Sequence, residues 1–265
     1  MVVTLPHEKV EHEPVVGIFI LFLISTLVFT LILQDVFVMI FGIMILGVWV
    51  LASSIGKGSA KEDLESVGVT GQHLTVAIPI GIAVGVLSLI IGSIIMAVDN
   101  TASFLALSTL IIPPMATAAA VGVTTVIPMQ LALMFEIVAQ WLYVAPGEEA
   151  GFRVLTVFGL QSIFKNPVIA FFGATLIWAT MHMPLWINTG VPATMYVVVV
   201  IWGIMWAAQF VIIRNYFSNV VSHAVTNTGV LIMRDFEANI NIYTYITLFF
   251  ILAICIGLAW WYKNE

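Results

Sequence analysis

Residues 74–98 read LTVAIPIGIAVGVLSLIIGSIIMAV, an apolar run without a single Asp, Glu, Lys, Arg or His. The hydrocarbon of a bilayer is about 30 Å thick and takes about 20 such residues as a helix. Comparable segments fall near 15–33, 36–55, 103–122, 125–145, 148–164, 168–187, 193–213, 216–232 and 240–262. In lipid, only helices and closed barrels satisfy every backbone polar group. The runs lack the apolar–polar alternation of a barrel strand, so they read as helices. The expected fold is all-α, a polytopic transmembrane helical bundle of about 8 spans drawn from roughly 7–10 apolar helical segments. Within 74–98, Gly81, Gly85, Ser88 and Gly92 fall on one helical face. A face of small residues lets a second helix approach closely.

Composition agrees. The chain has 265 residues, 62% of them hydrophobic and 8% charged, against about 25% charged in soluble domains. The net charge of −6 comes largely from Glu8, Glu11 and Glu13 and from the loop Lys61 to Glu65. Eight Lys and Arg, scattered rather than clustered, exclude a nucleic-acid partner and leave the lipid bilayer as the expected one. The lone Cys255 can form no internal disulfide. Residues 1–14 read as an acidic N-terminal tail and 15–265 as a single transmembrane domain. The apolar run Val15 to Leu33 is too long for a cleaved leader and is expected to stay as an anchor. No internal repeat is visible. Turns are expected at Gln34-Asp35, Asp99-Asn100, Lys165-Asn166-Pro167 and Asn188 to Pro192, with the longest polar loop from Gly56 to His73. With a cytoplasmic N-terminus and alternating spans, Lys9, Lys57, Lys61, Lys165, Arg214 and Lys263 all fall inside and only Arg234 outside, as the positive-inside rule asks.

Three polar patches interrupt this frame: PGEEAGFR at Pro146 to Arg153, WATMHMP at Trp178 to Pro184, and SHAVTN at Ser222 to Asn227. An ionisable side chain at the centre of a membrane helix costs roughly 2.5–3.5 kcal/mol on insertion scales, so such groups mark function by default. Pro146 and Gly147 suit a helix start. Glu149 and Arg153 stand at i and i+4, within reach of an ion pair. Glu148 points about 100° away from Glu149 and has no local cation, which suits a general base. His182 lies among Trp178, Met181, Met183 and Trp186. Pro184 just after it can loosen the helix. His223 and Asn227 are again i and i+4, two donors on one face that suit a developing oxyanion. Each patch has a plainer reading: a helix cap with a surface pair, a packing histidine, and hydrogen-bonded glue between helices.

Taken together and in order, the patches resemble a known set. EEAGFR matches the EExxxR motif of the CAAX-processing and bacteriocin-processing (CPBP, or ABI) intramembrane protease family. Trp178 to His182 is similar to its FxxxH motif with Trp in place of Phe, and His223 to Asn227 matches its HxxxN motif. The best-known branch of that family is the prenyl-protein CAAX endopeptidase. The resemblance implies an integral-membrane endopeptidase with its catalytic core at about 125–232, acting on a membrane-associated or lipidated peptide or protein. By that likeness Glu148 activates a water with help from His182, and His223 and Asn227 hold the tetrahedral intermediate. Glu149 and Arg153 become a structural pair that locks the helix. The Trp at 178 keeps an aromatic and is expected to matter little beyond the wall of the site. The cofactor stays open. Glu148, His182 and His223 offer three ligands for zinc and leave a place for water, but no HExxH is present, and the likeness favours a glutamate-activated water.

Two other readings stand beside the protease. One is a non-catalytic membrane protein of the same family that gives immunity to a peptide toxin. The other is a small-solute or proton-coupled transporter that uses Glu136, Glu148 and the two histidines as a relay. The lack of repeated segments speaks against a transporter.

Overall fold

In a computed structural model, the structure describes residues 17, 19–24, 65, 68–71, 73–99, 129–182, 192–235 and 242–264. The acidic tail, Gln34-Asp35, the 36–55 and 103–122 runs, Pro184, and most of the Gly56 to His73 loop lie outside them. The described residues are helical, with no strand among them. In chain order the elements are α1 (Leu74–Val98), α2 (Met129–Ala139), a π-helical turn π1 (Gln140–Val144), α3 (Ala145–Glu148), a second π turn π2 (Glu149–Leu155), α4 (Thr156–Phe164), α5 (Pro167–Met181), α6 (Ala193–Ile213), α7 (Tyr216–Asp235) and α8 (Ile242–Asn264).

The small-residue face of α1 does what its spacing predicts. A Cβ on Gly85 would sit 2.7 Å from the Ser222 carbonyl oxygen and 2.8 Å from Val225 Cβ, and Gly81 meets Ser218 and Val221 in the same way. α7 therefore packs along α1 almost backbone to backbone, and Thr226 Oγ1 donates to the Gly85 carbonyl at 3.2 Å. The loop Lys165-Asn166-Pro167 also behaves as read. Lys165 takes the left-handed conformation that ends α4, the Asn166 side chain accepts from the N–H groups of Val168 and Ile169, and Pro167 opens α5.

One expectation fails. Pro146-Gly147 is not a helix start, and the 125–145 and 148–164 runs are not two segments. Residues 129–164 form one continuous helix. The proline is tolerated because π1 comes just before it: the Ala145 N–H reaches back to the Gln140 carbonyl, which opens the regular ladder where a proline ring would clash. The Pro146 carbonyl then accepts from the Tyr216 hydroxyl at 2.8 Å, fastening this point to the start of α7.

Within an otherwise apolar core, buried polar side chains gather on α7, while large apolar ones stand on the outer faces. The interior of α7 is polar, with Ser218, Asn219, Ser222, Thr226 and Asn227 all buried. The outer faces carry Leu142, Leu176, Ile212, Phe250 and Trp260, each more than half exposed. Exposed apolar area on this scale needs a nonaqueous partner. Among the described residues two helices, α1 and α6, are long and apolar enough to cross a membrane.

Candidate active site

The two π turns position the carboxylates. A π turn inserts a residue into a helix and is found mostly where function asks for it. Around π2, neither Glu148 nor Glu149 faces the surface: Glu149 and Arg153 have no exposed area and Glu148 has 6%. Gly151 within the same motif carries no side chain because the Phe22 ring lies where a Cβ would be. Phe22 in turn meets Phe152 edge to face at 5.3 Å.

α7 brings the third motif alongside. Asn215 caps its start, its side-chain oxygen accepting from the Ser218 N–H at 3.1 Å. Gln209 of α6 donates to the Ser218 carbonyl and hydroxyl and accepts from the Ser222 hydroxyl. This clamp fixes the rotation of α7, so that His223 and Asn227 both face the carboxylates.

His223 stands between the two glutamates. Its Nδ1 lies 2.8 Å from Glu149 Oε1, and its Nε2 lies 3.8 Å from Glu148 Oε2. Trp206 stacks on the imidazole at 4.3 Å between centroids. Glu149 is thus more than the partner of Arg153. Its contact with His223 is the shorter one, since the Arg153 Nε is 3.5 Å from Glu149 Oε2. Asn219 Nδ2 adds a donor to Glu149 Oε2 at 3.2 Å. Among the described residues, the Arg153 guanidinium makes no hydrogen bond. It lies over the ring of Trp178 at 4.8 Å and near Trp206 at 5.9 Å, two π faces that suit a buried cation.

Glu148 has a partner that its own helix does not supply. The indole Nε1 of Trp178 donates to Glu148 Oε2 at 2.6 Å. Trp178 therefore does more than keep an aromatic at its position, contrary to the expectation above. Its carbonyl also lies 2.9 Å from Nδ1 of His182. A carbonyl only accepts, so Nδ1 carries the hydrogen and the neutral ring presents Nε2 as a lone pair. His182 itself is the C-cap of α5, which ends at Met181; the rest of the expected run to 187 lies outside the described residues. Asn227 donates from Nδ2 to Gln140 Oε1 at 2.7 Å. Gln140 belongs to π1 and is buried.

Glu148, His182, His223 and Asn227 converge on one cavity, whose walls are completed by Trp178, Val199, Trp202 and Trp206. Its volume is about 10 Å³, close to the room one water needs. Glu149 and Arg153 stand behind this wall, and Glu136, half-buried on α2, does not line it. The zinc set read from the sequence does not fit as it stands. Among the described residues no three His, Cys, Asp or Glu side chains gather closely enough to hold a metal ion.

Two features escape sequence reasoning: the Trp178–Glu148 bond and the Gln140–Asn227 bond. The second joins residues 87 positions apart. The only hint of the first is the presence of Trp where the motif it resembles has Phe.

No curated protein and no solved structure matches the chain at a significant level. A family model does: residues 130–229 match the family described as type II CAAX prenyl endopeptidase Rce1-like. That stretch contains all three polar motifs, from Glu148 to Asn227. Over residues 130–229 the chain is similar to the Rce1-like family, a match that agrees with the CAAX-processing intramembrane protease motifs it resembles.

Proposed function

We propose that the chain is a multi-pass intramembrane endopeptidase of the CAAX type that hydrolyses a peptide bond through a water activated by Glu148. The observation that carries this reading is the water-sized cavity on which Glu148, His182, His223 and Asn227 converge. The family match supports the reaction class. The substrate is a membrane-associated peptide or protein, with a prenylated C-terminal segment the first class to try. The catalytic core spans about residues 125–232, in a bundle of about 8 spans with a cytoplasmic N-terminus.

The steps follow from the donors and acceptors. A Glu148 carboxylate oxygen takes a proton from water, and the water oxygen bonds to the scissile carbonyl carbon. Nε2 of His182 accepts a hydrogen bond from the water's other hydrogen, which stays on the oxygen, and so orients the attack. The carbonyl oxygen becomes an oxyanion, which Asn227 Nδ2 and His223 Nε2 stabilise as hydrogen-bond donors. Asn227 has two amide hydrogens, of which one goes to Gln140, so the second is available. With Nδ1 of His223 donating to Glu149, Nε2 donates when the ring carries both protons, and Glu149 balances that charge. Glu148 then gives its proton to the leaving amine as the C–N bond breaks. Arg153 and Glu149 hold the frame without touching the substrate.

The test is purified protein in detergent with a panel of fluorogenic peptides, prenylated and unmodified, with and without a chelator. Cleavage that persists under chelation is expected. Cleavage of no peptide class in the panel contradicts the protease reading. One equivalent of zinc, lost together with activity in a His223→Ala variant, contradicts the glutamate-activated water.

A further inference from the structure

We propose that Trp178 is a positioning residue for the Glu148 carboxylate: its indole N–H fixes the oxygen that would otherwise turn toward His223, and so sets which oxygen meets the water. This rests on the proposed function. Trp178 Nε1 lies 2.6 Å from Glu148 Oε2, the shortest bond that carboxylate makes among the described residues. The same Oε2 is 3.8 Å from Nε2 of His223. Without the indole, an ion pair between Glu148 and His223 is the obvious alternative. It would engage the base and one oxyanion donor with each other. Hydrogen bonds to ionised groups are strong and directional, so the indole can hold the carboxylate against this collapse.

The surroundings make the indole a rigid post. Trp178 is 2% exposed. It lies 5.3 Å from Trp206 and under the Arg153 guanidinium, which leaves it little freedom to turn. Its carbonyl holds Nδ1 of His182. One residue therefore orients both groups that flank the proposed water, one through its side chain and the other through its backbone. A Phe at this position fills most of the same space but has no N–H to donate.

Two replacements separate the donor from the packing. Trp178→Phe removes the donor with some loss of volume. Replacing Trp178 with 3-benzothienylalanine keeps the bicyclic shape and removes only the N–H. Both variants are expected to lower kcat about 10- to 100-fold with KM within about twofold of wild type, the range for losing one hydrogen bond to a charged group. Wild-type kcat in the benzothienyl variant overturns the proposal, even with the protease reading intact. A second measurement does not depend on cleavage. Trp178→Phe is expected to lower the thermal midpoint more in the wild-type background than in a Glu148→Ala background, because the bond needs both partners. Equal shifts in the two backgrounds overturn the bond whatever the peptide panel gives.

Discussion

Arg153 pairs with Glu149, whereas Asn227 lines the cavity with Glu148, and their loss should look different. Arg153 has no exposed area and faces Glu149 and two indole rings. Arg153→Ala leaves Glu149 without its cation in the interior, at a cost of about 3–5 kcal/mol. The expected result is poor yield and a short half-life in detergent, measured by size-exclusion chromatography over time. A stable variant that has lost only turnover would instead place Arg153 against the substrate. Asn227→Ala should fold. Loss of one oxyanion donor lowers kcat about 10²–10³-fold. KM should barely change, because the interaction is worth most in the transition state. A rise in KM with normal kcat would make Asn227 a ground-state binding residue. These two side chains were legible in the sequence because i, i+4 spacing reports shared faces without any tertiary information. The partners of Glu148 and Asn227 were not, since Trp178 and Gln140 lie 30 and 87 positions away in the chain.

At the scale of elements, α1 and α7 pack almost backbone to backbone. Gly85 faces the Ser222 carbonyl and Val225 at distances that leave no room for a side chain. Gly85→Val must push α7 away, at a typical overpacking cost of about 1–3 kcal/mol. Because Ser222 precedes His223, the displacement reaches the site. Both the thermal midpoint and kcat are expected to fall, while Gly257→Val on α8, with open space around it, should leave both near wild type. A Gly85→Val variant with wild-type midpoint would mean that α1 and α7 do not pack as described. The small face of α1 and the Asn166 cap were readable because both follow from local chemistry. The π turns were not. Pro146 and Gly147 are the residues one expects at a helix start; the π turn before them lets the helix run through, and the Tyr216 hydroxyl, 70 positions away, fastens it there.

Over the described molecule, a cluster of polar side chains on α7 and around Glu148 and Glu149 is enclosed by an apolar core and an apolar outer face. Hydrophobicity alone made the helical class legible, because lipid leaves the backbone few choices. It could not count spans, since the runs 125–145 and 148–164 merge into one helix through Pro146. That polar cluster explains how carboxylates, histidines and an arginine are kept in the interior. Each of the six motif residues from Glu148 to Asn227 meets another polar group or an aromatic face, and four of them open onto a space fit for one water. That convergence is a property of the assembled bundle and of no single element. The most direct measurement is peptide cleavage by Glu148→Gln beside wild type, with thermal midpoints recorded for both. The amide keeps the size of the side chain but is no base. Cleavage reduced to background, in a variant that folds with a midpoint close to wild type, is the expected result. Near-normal turnover in Glu148→Gln would contradict the glutamate-activated water and, with it, the role of the cavity.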